Sequence, residues 1–134
     1  MPKLEKFEMI EKGLKYTETH EWARVEDDIV TVGLSDVAFE LLGDIVYVEL
    51  PELGQSVTKS EPFGVIESVK AASDMYAPVS GEIVETNKEV EENFDVFKTQ
   101  AYSDGWMIKI KMSDPAELDT LLDADKYKEI AEKE

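Results

Sequence analysis

The apolar positions change period several times along the chain, and each change marks an element. In "YTETHEWARVEDDIVTVGL", Trp22 and Val25, then Ile29, Val30 and Val32, flank the pair Asp27-Asp28, which predicts two strands joined by a turn. "SDVAFELLG" breaks that pattern. Ser35 or Asp36 can cap a short helix there, and Gly43 can end it in the left-handed conformation that costs glycine little. Strands are predicted again over Asp44–Leu50, which Pro51 stops, and over Phe63–Val69, Asp74–Ala77, Glu82–Thr86 and Trp106–Lys111, with Pro78 and Gly81 marking a turn. In "SDPAELDTLL", Asp114 serves as N-cap, Pro115 suits the first helical position and Glu117 completes a capping box, while Leu118, Leu121 and Leu122 share a face. Tyr127, Ile130 and Ala131 predict another helix running to the end. The acid runs "EVEEN" and "VEDD" read as solvated turns, and "NFDVFKTQAYSDGW" as a loop. The expectation is a mostly β domain closed by C-terminal helices.

One internal echo stands out. "GDIVYVEL" at Gly43 and "GEIVETNK" at Gly81 share a glycine, an acid and Ile-Val, and each is followed by a later valine, Val57 or Val90. Two similar β units of this kind predict a small sandwich with approximate twofold symmetry. The stretch between them holds "ESVKAA", so Lys70 falls on a turn between strands, flanked by Val69, Ala71 and Ala72.

Composition narrows the function. The chain has 134 residues, 43% of them apolar, enough for one domain with a real core. No apolar run approaches the roughly 20 residues that span a bilayer. "MPKLEKFEMIEKG" lacks both the apolar core of a signal peptide and the arginine richness of a transit peptide, so a cytoplasmic protein is expected. With 14 Lys+Arg against 31 Asp+Glu the net charge is −17. Such a polyanion repels nucleic acid and anionic membrane surfaces and attracts basic patches on protein partners. Cysteine is absent, which excludes disulfides, thiolate metal sites and cysteine nucleophiles.

The sequence offers no self-sufficient active site. No two of the seven glycines stand two apart, so there is neither G-x-G-x-x-G nor a P-loop. No serine sits in a G-x-S-x-G elbow, and the acid runs lack the spacing of a calcium loop. The single histidine, His20, lies beside Trp22 and reads as a packed structural residue. Lys70 on its own residues is a turn lysine, and most of those are simply solvated.

The motif around it says more. "ESVKAASDMYAPVSGEIVE", with "YTETHEW", "LGDIVYVELPELG", "DGWMIKIK" and "SDPAELDTLLDADKY", resembles the H protein of the glycine cleavage system, continuously from about Leu14 to the C-terminal helix. The resemblance implies residues 1–13 as an N-terminal arm and 14–134 as a lipoyl-carrier domain. The implied fold is mainly β, a barrel-sandwich hybrid of the lipoyl-domain type, with a short helix near the first strands and helices at the C-terminus. It also implies lipoic acid, amide-linked to Lys70. In that cycle a pyridoxal-phosphate glycine decarboxylase loads an aminomethyl group on the arm, a tetrahydrofolate-dependent aminomethyltransferase removes it, and the FAD enzyme dihydrolipoamide dehydrogenase reoxidises the dithiol. A lipoyl or octanoyl transferase, or a lipoate ligase, installs the arm. The chain itself would be a non-catalytic carrier, expected as a monomer. Val69 and Ala71, standing where biotin-carrier domains have methionines, speak against biotin.

The physical sense is clear. Small neighbours leave the lysine accessible, and an acylated lysine becomes a tether reaching on the order of 14 Å, which holds its ring near a docked partner at roughly millimolar effective concentration. A chain without thiols cannot intercept the arm's disulfide. The resemblance further implies that the loaded arm folds back into a cleft where Thr19, Glu21 and Asp74 contact its amine. Departures from the family pattern occur near Phe94 and Ala101, where prolines are usual, near Lys98, where asparagine is usual, and at Ser60, which replaces a glycine. An alternative role, in lipoate-dependent sulfur oxidation or lipoyl relay, is shared by some relatives of this family.

Overall fold

The computed structural model describes residues 13–99 and 101–132. Among these, strands β1 (Lys15–Tyr16), β2 (Glu21–Glu26), β3 (Ile29–Leu34), β9 (Ile108–Met112), β8 (Gly81–Thr86) and β5 (Ser56–Val57) lie in that order across one antiparallel sheet. β4 (Ile45–Glu49), β6 (Pro62–Ser68) and β7 (Ala72–Tyr76) form a second. Helices α1 (Asp36–Leu42), α2 (Glu89–Glu92), α3 (Phe94–Thr99) and α4 (Ala124–Glu132) complete the chain, with a 3-10 helix at Pro115–Thr120. The arm expected over residues 1–13 lies outside the described residues except for Gly13.

The two sheets bury their inner faces in one core. Val30, Val32, Ile83 and Ile110 enter it from the larger sheet, and Val48, Ile66 and Met75 from the smaller. A second cluster covers the other side of the larger sheet, where Tyr16 and Trp22 pack with Val37 of α1 and Tyr127 of α4. β3 is therefore buried on both faces from Val30 to Leu34, so that even the polar Thr31 is only 6% exposed. Gly33 sits opposite Trp22, and a methyl there would lie 2.5 Å from the indole ring, so the position demands glycine.

The fold is the mainly β sandwich that was expected, with small adjustments at strand ends. Both echoes open a strand: β4 pairs with β6 and β8 with β9, in different sheets. α1 is capped by Ser35, whose Oγ accepts from Ala38 N at 3.3 Å. Gly43 ends it with φ 80° but ψ −142°, outside the left-handed helical region that was expected.

Three predicted features differ outright. "SDPAELDTLL" is a 3-10 helix, not an α-helix, and ends before Leu121 and Leu122. The reason is local. Asp114 caps Ala116 N, but the Glu117 carboxylate turns away to accept from Ser80 N and Ser80 Oγ at 2.8 and 2.9 Å, while Leu122 exchanges backbone hydrogen bonds with Tyr16. "EVEEN" is not a solvated turn but a helix, α2, whose Val90 is buried and whose Glu91 accepts from Leu50 N at 3.1 Å. The expected loop after Asn93 begins with α3, and Phe97 of α3 packs edge-on to Phe39 with ring centroids 4.8 Å apart. Ser60 adopts φ 70°, the backbone region that favours glycine.

Candidate functional site

Lys70 is exposed on the turn that joins β6 to β7. The turn is built by Ser68. Its backbone N donates to Ala71 O at 2.8 Å, and its Oγ accepts from Lys70 N and Ala71 N, both at 3.2 Å. Neither Val69 nor Lys70 has the positive φ that tight hairpins normally use, so the serine hydroxyl supplies the local bonding that turn geometry alone does not. On the other side, Val69 N donates to Asp44 O at 3.0 Å, which ties the turn to the residue after Gly43. The lysine stem runs over Gly43, where a methyl would stand 3.5 Å from Lys70 Cε. Ser68 and Gly43 were not recognised as site residues from the sequence; the signal was a serine two positions before the lysine.

Glu21 starts β2 and is almost fully buried, 1% exposed. Its Oε1 accepts from the Thr17 and Thr19 hydroxyls, and its Oε2 accepts from Tyr76 N at 3.1 Å. Burial pushes its carboxyl above the ordinary glutamate range, against the opposing pull of these donors. The carboxylate thus fastens the Thr17–Glu21 turn to the end of β7. Thr19, by contrast, is exposed on that turn, and Asp74 is exposed on β7. The three residues meet around a recess of about 150 Å³ whose apolar wall includes Leu34, Ala38, Leu41 and Met75. The structure brings together all three residues assigned to the cleft, but leaves Asp74 as the exposed carboxylate and Glu21 as one already engaged by the chain.

His20 lines the same recess with φ 76°. The Tyr127 hydroxyl lies 2.6 Å from His20 Nδ1 and 2.5 Å from Ser35 Oγ, and the Tyr127 ring stacks on Tyr16 at 4.5 Å. One hydroxyl thereby joins the Thr17–Glu21 turn, the cap of α1 and α4. His20 is thus packed against Tyr127, edge-on with ring centroids 5.6 Å apart, while it also faces the recess.

A sequence model of the glycine cleavage H-protein matches residues 14–134. The chain belongs to that family. It is similar to a glycine cleavage system H protein of Alcanivorax borkumensis, 54% identical over 114 residues, covering 85% of this chain and 89% of the relative. It is also similar to one of Vibrio vulnificus, 51% identical over 119 residues, covering 88% and 94%. The crystal structure of a glycine cleavage system H protein from Mycobacterium marinum superposes with a TM-score of 0.79 at 36% identity, covering 88% of this chain and 95% of that one. Family membership makes the chain a carrier component, not an enzyme. Among the described residues no group of His, Asp and Glu is arranged to hold a metal, and no helix is long and apolar enough to cross a membrane.

Proposed function

We propose that this chain carries the glycine-derived aminomethyl unit between the enzymes of glycine cleavage, through lipoate amide-linked to Lys70. The observation that carries the reading is the Lys70 turn itself. An acyl group needs an accessible amine, and Lys70 is exposed, followed by the small exposed residues Ala71 and Ala72, on a turn fixed from both sides by Ser68 and Asp44. Once attached, lipoate supplies a disulfide that accepts the one-carbon unit and is returned to the oxidised state by the system's flavin enzyme. The chain contributes position. Ser68 and Gly43 set the direction in which the lysine leaves the fold, and the recess beside Thr19, Glu21 and Asp74 is where the distal end of the arm would rest. There Asp74, and Thr19 through its hydroxyl, face a bound amine, while Glu21 keeps the turn in place.

The partners that follow are the pyridoxal-phosphate glycine decarboxylase, the tetrahydrofolate-dependent aminomethyltransferase, dihydrolipoamide dehydrogenase and an enzyme that installs the arm, all in the cytoplasm, with residues 14–134 acting as one carrier domain. Relatives near 50% identity favour glycine cleavage over the sulfur-linked role. The test is chemical. Protein made with lipoate supply should gain one lipoyl group by intact mass, mapped to Lys70 and lost in Lys70→Arg. It should also support exchange of bicarbonate into glycine by the decarboxylase. A bare Lys70 in lipoate-replete protein would refute the assignment, and a lipoylated protein inactive in exchange would refute the glycine role.

A further inference from the structure

Three large apolar side chains crowd the end of the smaller sheet that bears Lys70: Val46, Tyr47 and Val69, exposed by 54%, 44% and 67%. A bulge produces this crowding. Ile45 pairs with Ser68 and Tyr47 with Glu67, so Val46 has no partner across the β4–β6 ladder. In a regular strand Val46 would share the inward side with buried Val48. The extra residue instead leaves it exposed on β4, an edge strand, next to an exposed tyrosine. The Val69 backbone is hydrogen-bonded to Asp44, just before the same strand, so all three exposed residues stand at the end of the sheet that carries the lysine. Apolar residues gathered on a sheet edge invite association, and monomeric proteins ordinarily suppress them.

Reach decides what covers the patch. Enzymes that act on the far end of the arm meet it on the order of 14 Å from the lysine backbone, and need not touch this surface. The enzyme that forms the amide must bring its centre to Nζ itself, while the Lys70 stem rests on Gly43, three residues before Val46. That enzyme has to sit on the bulge. The surrounding charge selects its rim, since Glu67 stands opposite Tyr47, and Glu49 and Asp74 flank Val65 two positions farther along the same strands.

We propose that Val46, Tyr47 and Val69 form the docking patch for the enzyme that acylates Lys70, a protein offering an apolar centre ringed by lysine or arginine. This rests on the reading of Lys70 as the attachment lysine. The probe is a lipoate–protein ligase supplied with lipoate and ATP, with initial rates followed by intact mass against carrier concentration. The paired substitution Val46→Ser with Tyr47→Ser should raise KM for the carrier by about tenfold with kcat within about twofold, while Val84→Ser, exposed on β8 of the other sheet, leaves both unchanged. Should the paired variant fail to fold, Val46→Thr keeps the strand shape and should still raise KM measurably. For the wild-type carrier, KM should also climb as sodium chloride goes from roughly 50 to 500 mM, as a basic rim requires. Unchanged KM in a folded variant, or a wild-type KM indifferent to salt, overturns the docking patch. A wild-type carrier left unmodified at Lys70 instead removes the attachment reading, and the patch with it.

Discussion

Two residues decide how the site is held, and each makes a separate prediction. Ser68 collects two backbone donors at the lysine turn. Ser68→Ala leaves those donors to water on an exposed turn, so the cost to stability should be modest, about 1 kcal/mol. The turn that aims Lys70 should loosen more than the fold does. In a ligase assay, Ser68→Ala should lower kcat/KM for acylation several-fold while Ser68→Thr, which keeps the hydroxyl, retains most of it; equal loss in both would contradict the role given to the oxygen. Glu21 predicts a pH effect. Its folded-state pKa is raised, with burial as the largest cause, so the stability it contributes is complete below the unfolded value and is lost as pH rises through the folded value. Glu21→Gln removes that titration but places an amide against Tyr76 N–H, and should be the less stable protein at acid pH. The gap between the two melting temperatures should then narrow as pH climbs above the ordinary glutamate range toward neutrality. Asp36, also raised by burial, is common to both proteins and cancels. A gap independent of pH would show that Glu21 is ionised without penalty.

At the scale of elements, what could be read from the sequence was whatever periodicity and glycine report directly. β2, β3, β6 and β8 were legible because their apolar runs are bounded by turn residues, and α1 because Ser35 and Gly43 bracket it. The lysine turn was legible through its flanking strands. The two-residue strands β1 and β5 carry no period at all and exist only through their partners. α2 was hidden because its buried Val90 is a single apolar position in acidic surroundings, and α3 because its 6 residues, FDVFKT, are too few to show a helical period. The 3-10 helix was misread because Glu117 bonds across the fold to Ser80 in place of its own helix start. Ser60 shows the opposite case, in which the sequence marked a position without a mechanism. The mechanism is its φ of 70°, in the turn between β5 and β6. Holding serine there costs about 1 kcal/mol or more, and glycine gives back roughly 0.5 kcal/mol of that through its freer unfolded chain. Ser60→Gly should therefore stabilise the protein by about 0.5 kcal/mol in urea melts, with an unchanged m-value; a loss of stability would place the Ser60 side chain in some bonding that outweighs the strain.

On the whole molecule, a net charge of −17 over 134 residues works against the fold that the two sheets create. Ion pairs such as Lys88–Glu91 and Lys109–Glu85, both 3.6 Å and partly exposed, offset little of it, since such pairs contribute at most about 1 kcal/mol each. The repulsion is long-ranged in dilute buffer, where the screening length is about 30 Å at 0.01 M, and short-ranged at 0.1 M, where it is about 10 Å. The unfolded chain spreads the same charges farther apart, so screening favours the folded state more. Acylating Lys70 deepens the imbalance by one unit, from −17 to −17 − 1 = −18, on the face that already carries Glu67 and Asp74. The melting temperature should rise by about 3–6 °C between 10 and 200 mM sodium chloride, and the lipoylated protein should gain at least as much as the unmodified one. Choline chloride should reproduce the rise, because screening depends on ionic strength and not on the cation. A flat or falling melting temperature would mean that the carboxylates lie too far apart to repel. The high negative charge would then have to be explained by partner selection alone, where it lowers affinity for nucleic acid and anionic lipid and raises it for the basic rim of a docking enzyme.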